Sequence, residues 1–136
     1  ANLKNYLDIK STLQLSTVEH VIKDCERPRN GVKNVELVTK KKNMGVTEFQ
    51  DYWRKIHGPM GASIKQVLRY EQNHVIPYCY ETSDPQLDGL ALTWFFTTND
   101  MRASALSSEY KATREDEENF LEIPLDFLIM RELVLP

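Results

Sequence analysis

Cysteine is nearly absent: Cys25 and Cys79 are the only two in 136 residues. They lack CxxC spacing and are too few for a disulfide framework, so reduced thiols in a cytoplasmic protein are the simplest expectation. Five glycines build no phosphate-cradling loop, and neither a GxSxG elbow nor an HExxH pair appears. The three histidines, His20, His57 and His74, have no metal-ligand spacing. The expected cofactor is therefore none, whether metal or nucleotide. No apolar run approaches the roughly 20 residues that span a bilayer. The first ten residues carry Asn2, Lys4, Asn5, Asp8 and Lys10 where a signal peptide would have an apolar core. A net charge of −3 leaves no basic footprint for nucleic acid. The one basic run, Lys40-Lys41-Lys42, reads as a solvated loop. What remains, 41% hydrophobic and 27% charged, is the composition of a soluble single domain able to bury a core.

The stretch TEFQDYWRKIHGPMG, residues 47–61, is the most informative. Thr47 and Gln50 have capping-box spacing, which predicts a helix start. Phe49, Tyr52, Trp53 and Ile56 recur at intervals of three and four and form one apolar stripe. His57 follows Trp53 by four residues, on or beside that stripe. Gly58 in a left-handed cap and Pro59 after it predict that the helix stops there. A side chain that exchanges protons near neutral pH is thus held at a structural corner. The plainer alternative is a half-buried histidine that complements the helix dipole.

Residues 1–31 read as an N-terminal arm that packs on the domain or on a partner subunit. Ser16 and Glu19 have capping-box spacing and Val18, Val21 and Ile22 form a weak stripe, which predicts a short helix over 17–25. His20 falls on this arm and receives no chemistry. From Val32 the order is strand (32–39), helix (47–57), strand (68–75), strand (89–97), helix and strand (127–135). A turn-rich connection occupies 81–88, and Thr98 or Asn99 caps the second helix. This is the α+β, ferredoxin-like βαββαβ order, a four-stranded antiparallel sheet with helices on one face. Strand 90–96 is apolar on both faces: Leu90, Leu92, Trp94 and Phe96 on one, Ala91, Thr93 and Phe95 on the other. Strand 127–135 repeats the pattern. A chain with helices for only one face is expected to pair the other with a second copy, giving a homodimer.

The residues VTEFQDYWRKIHGPMG, LRYEQNHV and DGLALTWF, in that order, resemble the EthD-like family of the dimeric α/β-barrel superfamily, over about 32–136. The resemblance implies a homodimeric, cofactor-free protein with a pocket between sheet and helices. It implies a small hydrophobic or cyclic substrate, with no nucleic-acid or membrane partner. Relatives include isomerases of methyl-substituted muconolactones and decarboxylases of fungal polyketide acids. An oxidoreductase label attaches to the family through an ether-degradation operon. His57 matches the acid/base histidine of the isomerase-type relatives, and His74 matches the histidine of the second strand. A second, later histidine of the muconolactone isomerases has no counterpart here.

His57 and His74 are accordingly the candidate catalytic residues. Tyr52, Trp53, Tyr70, Trp94 and Phe96 are the candidate substrate-binding residues, although Tyr52 and Trp53 also suit a core. Tyr70 and Tyr78 are candidate donors to an enolate oxygen. Asp116, in the acidic run 115–118, reads as part of a solvated helix face. The expected reaction is cofactor-independent proton transfer: isomerisation, dehydration or decarboxylation of a cyclic, aromatic or polyketide-like metabolite. The alternatives are a cofactor-free monooxygenase or an accessory to one, and a non-catalytic dimeric binding protein.

Overall fold

The computed structural model describes residue 8 and residues 10–133. Among the described residues five strands, β1 (Thr17–Lys23), β2 (Val32–Val38), β3 (Arg69–Val75), β4 (Gly89–Phe95) and β5 (Asp126–Met130), form one antiparallel sheet in the order β1-β3-β4-β2-β5. Without β1, the order β3-β4-β2-β5 is that of the ferredoxin-like fold, one strand short of what is observed. The fifth strand comes from the arm. Residues 17–23 pair with β3 from Thr17↔Val75 to Lys23↔Tyr70, where a helix over 17–25 is predicted. The segment is rich in β-branched residues and lies against the free edge of β3. Backbone pairing there outweighs the weak capping signal. β5 ends at Met130, and residues 134–135 of the predicted strand lie outside the described residues.

The helices are α1 (Val46–Tyr52), α2 (Gly58–Ser63), α3 (Pro77–Thr82), α4 (Thr98–Ser104) and α5 (Ser108–Asp116). A π-helical turn, Trp53–His57, joins α1 to α2, so the chain does not stop at Gly58. Gly58 is right-handed helical (φ −52°), and its N–H reaches back five residues to the Trp53 carbonyl. An ordinary helical turn would set the Pro59 ring against a carbonyl four residues earlier, and the wider turn accommodates the ring. Capping also differs from expectation. Gly45 precedes α1 with no side-chain cap, and Gln50 instead donates to the Val75 carbonyl at 2.9 Å. Thr97, one residue before the expected cap, accepts from the Asp100 N–H at 3.0 Å. Among the described residues no helix is long and apolar enough to cross a membrane.

Strand register sorts the sheet into two faces. The helices cover the face of Val32, Asn34, Glu36, Val38, Tyr70, Gln72, His74, Ala91, Thr93 and Phe95. Phe49, Trp53, Val67, Phe120 and Leu121 complete the core there. The opposite face carries Val35, Leu37, Leu90, Leu92, Leu128 and Met130, with no helix of the described residues over it. One end of it is polar. Arg27 and Arg69 bond buried Glu71 at 3.0 and 2.5 Å, and Trp94 donates to Glu132 at 3.2 Å.

Candidate active site

A cavity of about 290 Å³ lies between the helix-covered face of the sheet and helices α2, α4 and α5. His57 borders it. The π turn delivers this ring beside Phe120, with centroids 4.8 Å apart, and burial leaves the residue 6% exposed. Its Nδ1 lies 2.9 Å from Asp116 Oδ2, at the end of α5. Asp116 is itself held: Tyr52 donates to Oδ1 at 2.6 Å and Asn119 donates to the same oxygen at 3.0 Å.

These contacts fix the protonation of the pair. Burial pushes the Asp116 carboxyl up, but the hydrogen bonds from Tyr52, Asn119 and His57 outweigh it, and its pKa falls below the ordinary value. For His57 burial wins: its pKa is lowered although the Asp116 hydrogen bond and charge pull it upward. Near neutral pH the partner is therefore a carboxylate and the ring is neutral. A carboxylate only accepts, so Nδ1 carries the proton. Nε2 keeps its lone pair and has no partner among the described residues.

A second polar group lies on the same wall. Arg114 Nη1 is 3.1 Å from Glu36 Oε1 and 2.9 Å from Glu117 Oε1. Asn34 also donates to Glu36 Oε1, at 3.3 Å. Burial raises both carboxyls, Glu117 to about 8. Tyr70 reaches the cavity too. Gln72 donates to its hydroxyl at 2.9 Å, and burial raises its pKa, so the phenol keeps a proton to donate. Gly61 makes room for that ring, since a Cβ there would lie 3.0 Å from Tyr70 Cε1.

Of the residues singled out in the sequence, the structure brings His57 and Tyr70 to this cavity. Tyr52 acts on it through Asp116 and does not line it. His74 lies elsewhere, stacked on Trp53 with centroids 4.4 Å apart and edge-on to His20 at 4.6 Å. Its Nε2 is 3.0 Å from Gln72 Oε1, and burial, with help from His20 and Arg54, lowers its pKa to about 3. Trp53 is walled in by this stack. Trp94 is on the opposite face of the sheet, under Arg27 and Lys33, while Phe96 and Tyr78 are 63% and 64% exposed. Asp116, which in the sequence reads as part of a solvated helix face, belongs to this site, as do Asn119, Glu36, Arg114 and Glu117, which no motif marks. Two signals were present. Asp116 precedes inward-facing Phe120 by four residues, and Glu36 shares strand parity with Val32 and Val38.

Comparison with known proteins bears on the same region. The EthD domain model matches residues 41–124, from the loop before α1 to the segment after Phe120. The chain belongs to the EthD family. An EthD family protein from Bacillus halodurans C-125 shares the fold at 15% identity, with a TM-score of 0.62 over 76% of this chain and 99% of the other. A dimeric, ferredoxin-like protein of unknown function from Bacteroides fragilis NCTC 9343 gives 12% identity, a TM-score of 0.57, and coverage of 76% and 98%. A Lactobacillus acidophilus NCFM protein to which monooxygenase activity is ascribed gives 14%, 0.54, 88% and 51%. No match was found among curated proteins. The EthD match contains His57, Tyr70, Asp116 and Glu117, but not Glu36.

Proposed function

We propose that this EthD protein is a cofactor-independent enzyme that moves a proton on a small cyclic or aromatic molecule, with His57 as the base. The observation that carries the reading is the His57–Asp116 pair at a largely apolar cavity. Nε2 of the neutral ring removes a proton from carbon or oxygen of the substrate. Asp116 then stabilises the imidazolium that forms, and its bonds to Tyr52 and Asn119 hold the ring's orientation. The Tyr70 hydroxyl donates to the oxygen on which charge develops. The reaction is isomerisation or dehydration through an enol or enolate, and the imidazolium returns its proton to another carbon or to the departing hydroxyl. His74, neutral and enclosed by Trp53, His20 and Gln72, takes a supporting place in the core.

We further propose a homodimer formed through the uncovered sheet face. Val35, Leu37, Leu90 and Leu92 there are apolar and lack helices, and Leu128 and Met130 are 52% and 43% exposed. The dimeric B. fragilis neighbour supports this reading.

The test is solvent-proton exchange. A panel of cyclic ketones and hydroxyaromatics is incubated in D₂O under nitrogen and followed by proton NMR. The wild type is expected to exchange ring positions of at least one probe faster than His57→Gln by about 10²–10⁴-fold. Equal rates from the two proteins would sink the proton-transfer reading. Turnover that requires dioxygen would favour oxygenation, and tight binding without exchange would favour a carrier.

A further inference from the structure

We infer that the cavity takes an uncharged ring-sized molecule bearing a hydroxyl group, which Glu36 and Glu117 receive, and that it turns away carboxylate anions. The inference deepens the proposed function and rests on it for the identity of the binding site.

Arg114 is the cation set into this wall, and a single nitrogen of it faces two carboxylates, at 3.1 Å to Glu36 and 2.9 Å to Glu117. A guanidinium so matched has no net charge to offer an incoming anion. With all three groups ionised the wall is formally one charge negative, and with a proton on Glu117 it is neutral. A carboxylate ligand would bring a negative charge to a wall whose buried cation is already matched, and that charge would lose its water. Arg102, also at the cavity, is solvent-exposed, so its pull on an anion is weak and screened by salt.

Hydrogen-bond inventory points the same way. In both glutamates Oε1 makes the contact with Arg114, and Oε2 has no partner among the described residues. An ionised carboxylate oxygen accepts and a protonated Glu117 can donate, and a hydroxyl is the uncharged group that serves either. Register frames them with apolar neighbours. Glu36 lies opposite Phe127 on β5, and Asn34 opposite Ile129 and Thr93. Ile64, Val67, Phe95 and Tyr110 complete walls suited to a flat ring. A volume of about 290 Å³ is near the small end of ligand pockets, enough for one or two rings.

The test is calorimetric titration at pH 7 with 3,5-dihydroxytoluene and 3-methylbenzoate, a neutral and an anionic ring of similar size. Wild type is expected to bind the neutral probe at least about tenfold tighter. His57→Gln should keep that preference, which separates this inference from the proton-transfer reading. The double variant Glu36→Gln/Glu117→Gln leaves Arg114 unmatched, so the order of the two probes should reverse. Arg102→Ala should leave the wild-type order unchanged. Benzoate binding equal to or tighter than that of the neutral probe in the wild type overturns the proposal. So does an unchanged order in a folded double variant, or no binding of 3,5-dihydroxytoluene at millimolar concentration. If the double variant does not fold, the wild-type and Arg102→Ala comparison still decides.

Discussion

Asp116 ends α5 and Glu117 follows it, and the two neighbouring carboxyls hold opposite protonation preferences. Asp116 orients His57 and keeps an ionised carboxylate under it, whereas Glu117 is driven toward its protonated form by burial beside Glu36 and Asp116. The difference lies in surroundings. Asp116 accepts from three side chains; Glu117 has Arg114, which it shares. Glu117 therefore leaves a signature in stability. Its folded pKa, about 8, exceeds the ordinary 4.5, so the folded state holds a proton that the unfolded chain releases. Between those values the folded state binds more protons, and stability falls as pH rises through that window. Glu117→Gln should flatten the loss of Tm between pH 5 and 8, with its largest stabilisation above pH 8. Thermal unfolding across that range checks this, and a parallel shift of the whole curve would contradict it.

At the level of elements, the π turn and the crowding beneath it decide where the site residues go. Gln72 donates to the Trp53 carbonyl at 2.8 Å, and the Trp53 ring fills the space over Gly89. A Cβ at Gly89 would run into the Asn73 carbonyl of the neighbouring strand and lie 2.7 Å from Trp53 Cζ3. Backbone cannot yield there, so Gly89→Ala should cost about 1–3 kcal/mol or more by denaturant unfolding. At Gly58 the nearest atoms are at 3.2 Å and belong to the side chains of Gln72 and Ile22, so Gly58→Ala should cost less. Equal costs would mean the crowding at Gly89 is relieved by movement. Strands β2 to β5 and the first helix were legible because their periodicity agrees with their tertiary place. The π turn was not, because glycine before proline signals a helix stop in local terms. β1 was hidden for a related reason: its pairing depends on the edge of β3, about fifty residues away in sequence. Within the site His57 and Tyr70 were legible from type and position. The Glu36–Arg114–Glu117 group was not, since it joins a strand to a helix that no local spacing connects.

At the scale of the whole sheet, the described residues cover one side and leave the other open. Arg27, Arg69 and Glu71 make a polar border at one end of the open face, and leucines and valines fill the middle. Light scattering after size exclusion should report about twice the chain mass of 15.8 kDa. A monodisperse monomer at micromolar concentration would remove the dimer from the account. The proposed proton transfer needs neither the dimer nor a known substrate; it needs a neutral His57 ring, held by Asp116 through Nδ1, with Nε2 unpartnered among the described residues. Nitrogen-15 NMR of the histidine side chains reads this directly. The prediction is a neutral His57 at pH 7 in the Nδ1–H tautomer, titrating below the ordinary 6.5, with the tautomer preference lost in Asp116→Asn. A charged ring at pH 7, or an Nε2–H tautomer in the wild type, would contradict it.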